Sequence, residues 1–378
     1  MARFGDLVSR VNTKEDRFNT DKNFYVGGEH IESNELLVHA KGMIEGSTIG
    51  PMFYFGFKAG DILFVTRNPH LRKAAMVEFD GICSEKTLVL ATNDESILLQ
   101  SYLAIVMQSD DFWEYCEDNK SGGVNYFINW STLEEYEFDL PPIDEQKKIA
   151  SQIWAAYRLK EAYKSLLTAT EEMVKSQFIE MFGGENISSS TIGECACTFI
   201  DGDWIESKDQ SESGIRLIQT GNIGNGVFKD KEEKSRFISE ETFNRLNCSR
   251  IFKGDILVSR LPDPIGRACI VPEIDKAITA VDCTIIRLKS YVLPEFFIAY
   301  TKTSTYLNQI KKAATGTTRR RISRANLAKI IIPVPPIELQ EEFAAIVRQA
   351  DKSKYYVQNK LNYICHILTK QIQLKRCS

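Results

Sequence analysis

Two proline pairs constrain this chain more than any other feature. Leu140-Pro141-Pro142-Ile143-Asp144-Glu145-Gln146 returns as Val334-Pro335-Pro336-Ile337-Glu338-Leu339-Gln340, 194 residues later in a chain of 378. Paired prolines hold the backbone extended and remove amide donors, and an acidic residue in the turn that follows suits the positive end of a helix. Each copy therefore reads as a helix start, and the chain reads as two tandem halves.

A heptad frame follows each start. Ile149, Ala156, Tyr163, Thr170 and Gln177 recur every seven residues, accompanied by Ile153, Lys160, Leu167, Val174 and Met181. The second copy gives Phe343, Ala350, Val357, Ile364 and Gln371, with Val347, Lys354, Leu361, Leu368 and Lys375. Four mostly apolar heptads predict a coiled-coil seam that turns polar at the fifth. Each helix is then about 50–60 Å long at about 1.5 Å per residue. The only partner in the chain for one apolar stripe is the other, which predicts antiparallel pairing with a globule at each end. Lys160 and Lys354 occupy matching positions, so the seam is expected to open at the same level in both helices. Gly183-Gly184 suits the end of the first helix.

The remainder of each half alternates strand and helix signals. Phe4-Gly5-Asp6-Leu7 answers Ile192-Gly193-Glu194-Cys195, and Phe24–Ile31 answers Leu217–Ile223 as a strand entering a glycine turn. Gly60-Asp61-Ile62-Leu63 and Gly254-Asp255-Ile256-Leu257 each lead a turn into a buried strand that ends on hydroxyl and arginine, again 194 residues apart. Strands are expected at 86–90 and 283–288, and helices at 97–116 and 294–312. After each helix comes a glycine loop, Lys120-Ser121-Gly122-Gly123-Val124-Asn125-Tyr126 or Ala314-Thr315-Gly316-Thr317-Thr318-Arg319-Arg320-Arg321. A last strand, 137–139 or 330–332, reaches the prolines. Each half is thus a mixed α+β globule followed by one long helix.

Several classes of chemistry find no support. There is no GxxxxGK[ST] phosphate loop, and Gly221-Asn222-Ile223-Gly224-Asn225-Gly226 lacks the dinucleotide spacing and reads as a turn. No Asp-Pro-Pro-Tyr-like segment is present to hold a flipped base. Pro262-Asp263 followed by Glu273-Ile274-Asp275-Lys276 misses the nuclease pattern, because Ile274 stands where an acid is needed. Nine cysteines and four histidines form no zinc spacing, which favours buried reduced thiols. No apolar run is long enough for a membrane span, and Met1–Asp6 does not open a signal peptide, so a cytoplasmic, non-catalytic protein is expected.

The net charge of -4 argues mildly against nucleic acid, but cations are concentrated in matching loops. Arg319, Arg320, Arg321 and Arg324, beside Thr317 and Thr318, form the densest group. Arginine pairs bidentately with guanine edges or phosphates, and threonine hydroxyls bind phosphates. Arg260 and Arg267 flank a loop after the second Gly-Asp-Ile-Leu strand, and Arg67, Asn68, Arg72 and Lys73 form the corresponding loop in the first half. Asn125 and Tyr126 replace the arginines after Gly123; asparagine suits adenine, and tyrosine suits stacking or phosphate. Two globules sharing a framework and differing at these tips would read two different short sequences at a fixed separation.

With these residues in place, the chain resembles the specificity subunit of type I restriction–modification systems over nearly its full length. The resemblance rests on the doubled (L/V)PPI-x-x-Q starts, the doubled Gly-Asp-Ile-Leu strand and Arg-Leu-Ile-Gln-Thr-Gly-Asn-Ile at 216–223. It implies an α+β, pseudo-two-fold arrangement: target recognition domains at 1–142 and 185–336, with spacer helices at 143–184 and 337–378. It further implies double-stranded DNA bound at a bipartite site, two methyltransferase subunits modifying adenine, and restriction subunits. S-adenosylmethionine, ATP and Mg would belong to those partners, with no cofactor in this chain. The short N-terminal leader departs from many relatives. Two alternatives stay open: a specificity protein of a solitary modification system without a nuclease, and a coiled-coil adaptor whose globules bind proteins.

Overall fold

Both copies of Gly-Asp-Ile-Leu enter a central buried strand through the same turn. Gly60 and Gly254 donate to the Val77 and Val271 carbonyls at 2.8 and 3.0 Å, and those residues' amides return to Asp61 and Asp255 at 3.0 and 2.8 Å. The computed structural model describes residues 1–184, 187–262, 264–316 and 319–373. By contact it divides into Met1–Ser165 with Gln358–Ser378, and Leu166–Val357, so each long helix contributes to both units.

In the first unit one sheet runs Val8–Val11, Thr87–Thr92, Ile62–Val65, Ala74–Met76, all antiparallel. A second runs Gly42–Met43, Phe24–Val26, Gly81–Ser84, Phe53–Phe57, and its middle pair is parallel. The second unit repeats this order. Ala196–Asp201, Cys283–Leu288, Ile256–Ser259 and Ala268–Ile270 form one sheet, and Arg236–Ile238, Ile215–Ile218, Ala277–Thr279 and Arg250–Ile251 the other. Its parallel pair is likewise the middle one, Ile215–Ile218 with Ala277–Thr279. A two-stranded ribbon closes each unit: Ala2–Arg3 with Glu137–Phe138, and Ser189–Thr191 with Ile331–Pro333.

The expected helices at 97–116 and 294–312 are each two helices. Gln100–Val106 stops before Asp110–Asp118, where the Ser109 hydroxyl accepts from the Phe112 amide. Pro294–Thr301 stops before Ser304–Ala313, where Thr303 does the same for Tyr306. A hydroxyl N-cap inside an apolar periodicity restarts the helix in a new direction, and apolar spacing alone does not reveal it.

The long helices span Ile143–Phe182 and Ile337–Gln373. Ile153 and Tyr157 of the first share a core with Ile364 and Leu368 of the second in one unit. In the other unit Phe343 packs its ring 5.5 Å from Phe178 and 5.4 Å from Phe182. Early turns of one helix thus meet late turns of the other. Burial of such side chains stabilises by about 1.5–3 kcal/mol each. No helix among the described residues is long and apolar enough to cross a membrane.

The repeated motif fixes each helix to its globule through its last residue. The buried Gln146 side chain accepts from the Leu99 amide at 3.0 Å and donates to the Ile97 and Pro141 carbonyls at 2.8 and 2.9 Å. Gln340 makes the same set with the Leu293 amide (2.9 Å) and the Tyr291 and Pro335 carbonyls (2.9 and 2.8 Å). Leu99 and Leu293 are the residues on which Gln100–Val106 and Pro294–Thr301 begin, so the glutamine binds two helix starts together.

The matching lysines do not match in structure. Lys160 is buried, and its ammonium lies 2.6 Å from the Glu35 carboxylate, which also accepts from Tyr157 (2.8 Å) and Lys164 (3.1 Å). Lys354 is half-exposed and pairs with Asp351 one turn away, at 2.7 Å. The expected shared opening of the seam is replaced, in the first unit, by an ionic tie between helix and globule. Sequence spacing missed it because Glu35 comes from a loop 125 residues before Lys160.

Candidate nucleic-acid interface

The two glycine loops are one hairpin built twice. Ser121 and Phe127 exchange main-chain bonds at 2.7 and 3.0 Å, and Thr315 and Arg321 do so at 2.9 Å each. Gly122 and Gly316 have φ of +97° and +96°, and a Cβ on either would lie 2.7 Å from the carbonyl oxygen of Asn125 or Arg319. Only glycine fits that turn without strain. The hairpins dock by the same bond, from the Ile128 amide to the Thr66 carbonyl (3.0 Å) and from the Ile322 amide to the Arg260 carbonyl (3.2 Å). Main-chain groups therefore place both tips, and side chains are free to differ.

In the first unit Val124, Asn125 and Tyr126 are exposed, and the Lys120 ammonium stands 4.8 Å from the Tyr126 ring. The neighbouring loop is a tight turn, with Asn68 and Arg72 both left-handed at φ +53° and +51°. Its cations divide into two kinds. Arg67 is exposed, whereas Arg72 is paired with Asp110 at 2.6 Å and Lys73 donates to the Gly28 carbonyl at 2.6 Å. Arg72 and Lys73 hold the loop, and Asn68 is half-buried with its amide on the Tyr126 carbonyl at 2.9 Å.

The second unit divides its arginines in the same way. Arg319, Arg321 and Arg324 are exposed, with no ion-pair partner among the described residues. Arg320 is half-buried and donates to the Lys311 carbonyl at 2.7 Å, at the carbonyl end of Ser304–Ala313. Arg260, expected in an exposed loop, is buried: it donates to the Val281 carbonyl at 2.5 Å and faces Asp201 at 3.4 Å. Arg267 donates to the Ser259 hydroxyl at 3.3 Å. Thr317 and Thr318 lie outside the described residues. The freely presented groups are Arg67, Asn125 and Tyr126 on one unit and Arg319, Arg321 and Arg324 on the other.

Some contributors left no local signal. Arg10 and Lys86 line a cleft beside Arg67, brought together by sheet pairing rather than by sequence proximity. Phe18 and Trp204 stand out as large exposed aromatics on the segments that follow Val8–Val11 and Ala196–Asp201. One group of carboxylates and histidine, Glu35, His39 and Glu161, has ligand-type atoms within 4.8 Å. Lys160, Lys164 and Tyr157 already occupy the Glu35 oxygens, so it reads as an ion-pair tie. Burial pushes the Cys83, Cys269 and Cys283 thiols up to about 12, which leaves them inert.

The family profile described as the type I restriction modification DNA specificity domain matches residues 9–165 and 185–364. The type I restriction enzyme MjaVIII specificity subunit of Methanocaldococcus jannaschii is 22% identical over 381 residues, covering 93% of this chain and 85% of that protein. The putative MjaX specificity subunit of the same organism is 22% identical over 350 residues, covering 85% and 79%. The crystal structure of the type I S subunit from M. genitalium matches with a TM-score of 0.63 at 15% identity, over 98% of this chain and 94% of that one. A chain from a structural study of type I complex assembly matches with a TM-score of 0.51 at 18% identity, over 98% and 97%. Two profile matches, one on each half of a doubled fold, place this chain in the type I restriction–modification DNA specificity family, as a specificity subunit that targets rather than catalyses.

Proposed function

We propose that each unit reads one half of a bipartite site on double-stranded DNA through the major groove, and that the paired long helices set the gap between the halves. The complex forms in the cytoplasm. Two adenine methyltransferase subunits and restriction subunits assemble on this chain, and S-adenosylmethionine, ATP and Mg are bound by those partners. The observation that carries the reading is the duplicated hairpin, closed and docked by the same main-chain bonds and different in side chains: Gly-Gly-Val-Asn-Tyr at one tip and Gly-Thr-Thr-Arg-Arg at the other. Exposed arginine favours guanine and phosphate, and asparagine with tyrosine favours adenine or stacking. The two half-sites should therefore differ in composition.

The test is methylome sequencing of cells expressing this chain with its methyltransferase partner. One bipartite motif is expected, and exchanging 121–127 with 315–321 is expected to alter both half-sites while keeping the gap. Absence of any sequence-selective DNA binding by the assembled complex would overturn the reading in favour of a protein-binding adaptor.

A further inference from the structure

The cleft beside the first hairpin gathers cations that the second unit does not repeat at the same positions. It is lined by Arg10, Arg67 and Lys86, with Thr66, Glu85 and Asn129 among its polar neighbours and Phe127 and Trp130 in its wall. Lys86 and Glu85 pair with each other. Two guanidiniums remain, and neither has an ion-pair partner among the described residues. The Arg10 guanidinium is set 5.2 Å from the Phe55 ring centroid. Arg10 projects from a strand whose main chain pairs with Leu90, and Arg67 follows Thr66, whose amide bonds the Lys86 carbonyl at 2.9 Å. The sheet therefore supplies the cations and fixes their spacing.

The equivalent positions in the second unit follow from the same pairings. Phe199 opposite Ile286 stands for Arg10 opposite Leu90, and the Arg260 amide on the Asp282 carbonyl (2.9 Å) stands for Thr66 on Lys86. Leu261 follows where Arg67 does. The trio Arg10, Arg67, Lys86 is thus Phe199, Leu261, Asp282, and the Arg260 guanidinium there is turned to Asp201 and the Val281 carbonyl. At these three positions one unit is cationic and the other apolar and acidic, while the second unit places arginines elsewhere in the same lining, Arg321 for Phe127 and Arg324 for Trp130.

We propose that this cleft seats a backbone phosphate of the DNA flanking the first half-site, an inference that rests on the recognition reading above. Two arginines lining one recess can offer guanidinium forks to the oxygens of a phosphodiester, a planar bidentate geometry that a single lysine does not provide. The cleft lies at the base of the hairpin, lined by Phe127 and Ile128, so that a duplex whose base edges meet Asn125 and Tyr126 would bring its backbone past it. Phosphate contacts position a reader and base contacts specify the sequence. The cleft fixes the register of the first unit on the duplex, and the second unit relies on Arg319, Arg321 and Arg324 instead.

The test uses the full chain with its methyltransferase partner, titrated by fluorescence anisotropy against its bipartite duplex over a range of salt. Arg10→Ala with Arg67→Ala is expected to weaken binding about ten- to a hundred-fold on cognate and non-cognate duplexes alike. It should flatten the slope of log K against log salt by about 0.9, the value for one phosphate, and leave the methylated motif unchanged. Arg10→Lys with Arg67→Lys should recover part of the affinity. A duplex with single methylphosphonate linkages flanking the first half-site should reproduce the loss with the wild-type chain, and one of them should add nothing further in the alanine variant. This second arm stands even if the alanine variant fails to fold. Unchanged affinity and slope, or a changed first half-site, would overturn the cleft proposal while leaving the recognition reading intact. A wild-type complex that binds no duplex selectively would overturn both.

Discussion

Gln146→Ala tests whether the repeated motif is a mechanical tie. The side chain is fully buried and makes three hydrogen bonds, to the Leu99 amide and to the Ile97 and Pro141 carbonyls. A net loss of about 1 kcal/mol per bond gives about 3 kcal/mol, and stranding the partners without water raises this to about 3–5 kcal/mol. Urea unfolding followed by tryptophan fluorescence reads the first unit, because Trp113, Trp130 and Trp154 lie there and Trp204 is already 70% exposed. Trp154 reports on the tie directly, since its indole donates to the Ser101 carbonyl at 2.9 Å, two residues beyond Leu99. The fluorescence midpoint should fall by the urea equivalent of about 3 kcal/mol or more with the slope preserved. Gln146→Glu should be no better, because a carboxylate accepts from Leu99 but cannot donate to the two carbonyls. Gln340→Ala breaks an identical set and should cost a similar amount, read by circular dichroism in the second unit. A loss below about 1 kcal/mol for Gln146→Ala would refute the reasoning, since it would mean that the three partners find water or one another without the glutamine.

Four further outcomes are expected. Burial disfavours ionisation of Glu35, but hydrogen bonds from Lys160, Tyr157 and Lys164 outweigh it and hold the carboxyl below its usual range. Its contribution is therefore complete above the unfolded carboxylate pKa of about 4.3 and lost as pH falls through the lower folded value. Glu35→Gln should destabilise the first unit at neutral pH by about 1.5–3 kcal/mol, with the gap to wild type closing below about pH 4, and a gap independent of pH would count against the tie. Arg260→Ala should destabilise the second unit by about 2–4 kcal/mol in thermal unfolding, because it leaves the Val281 carbonyl without its buried donor and removes the cation that faces Asp201. Arg319→Ala with Arg321→Ala should leave stability within about 0.5 kcal/mol and change only the second half-site in the methylome. Gly122→Ala and Gly316→Ala should each cost about 1–2 kcal/mol through strain at positive φ, and each should weaken recognition at its own half-site alone.

Much of the framework was legible because it is written in local chemistry. Prolines followed by acid marked the helix starts at Ile143 and Ile337, and Gly-Asp marked the entry to each central strand. What the sequence concealed depends on distant partners. Nothing near Lys160 announces Glu35, and nothing near Arg260 announces Asp201 and Val281. Spacing therefore equated two lysines that fold differently, and charge counting grouped Arg260 with Arg319. The interruptions at Ser109 and Thr303 were hidden for another reason: apolar spacing continues across them, and only the capping hydroxyl shows that the axis turns.

The division of labour among these residues bears on how such a chain changes what it reads. Each hairpin is closed by two main-chain bonds, turned by one glycine and docked by one further main-chain bond. None of those interactions depends on the side chains at 125 and 126 or at 319 and 321, so tip residues can be replaced without altering the scaffold. The cations that hold the loops, Arg72, Lys73, Arg260 and Arg320, are spent on internal acceptors and are not free to vary in the same way. If the tips read bases as proposed, such a scaffold changes specificity at little cost in stability, because the stabilising groups and the exposed groups are different side chains on the same loops. The proposed phosphate seat at Arg10 and Arg67 extends the separation to register: its cations come from the sheet and from the strand's end, so substitution of Asn125 or Tyr126 should leave the first unit anchored while the bases it accepts change.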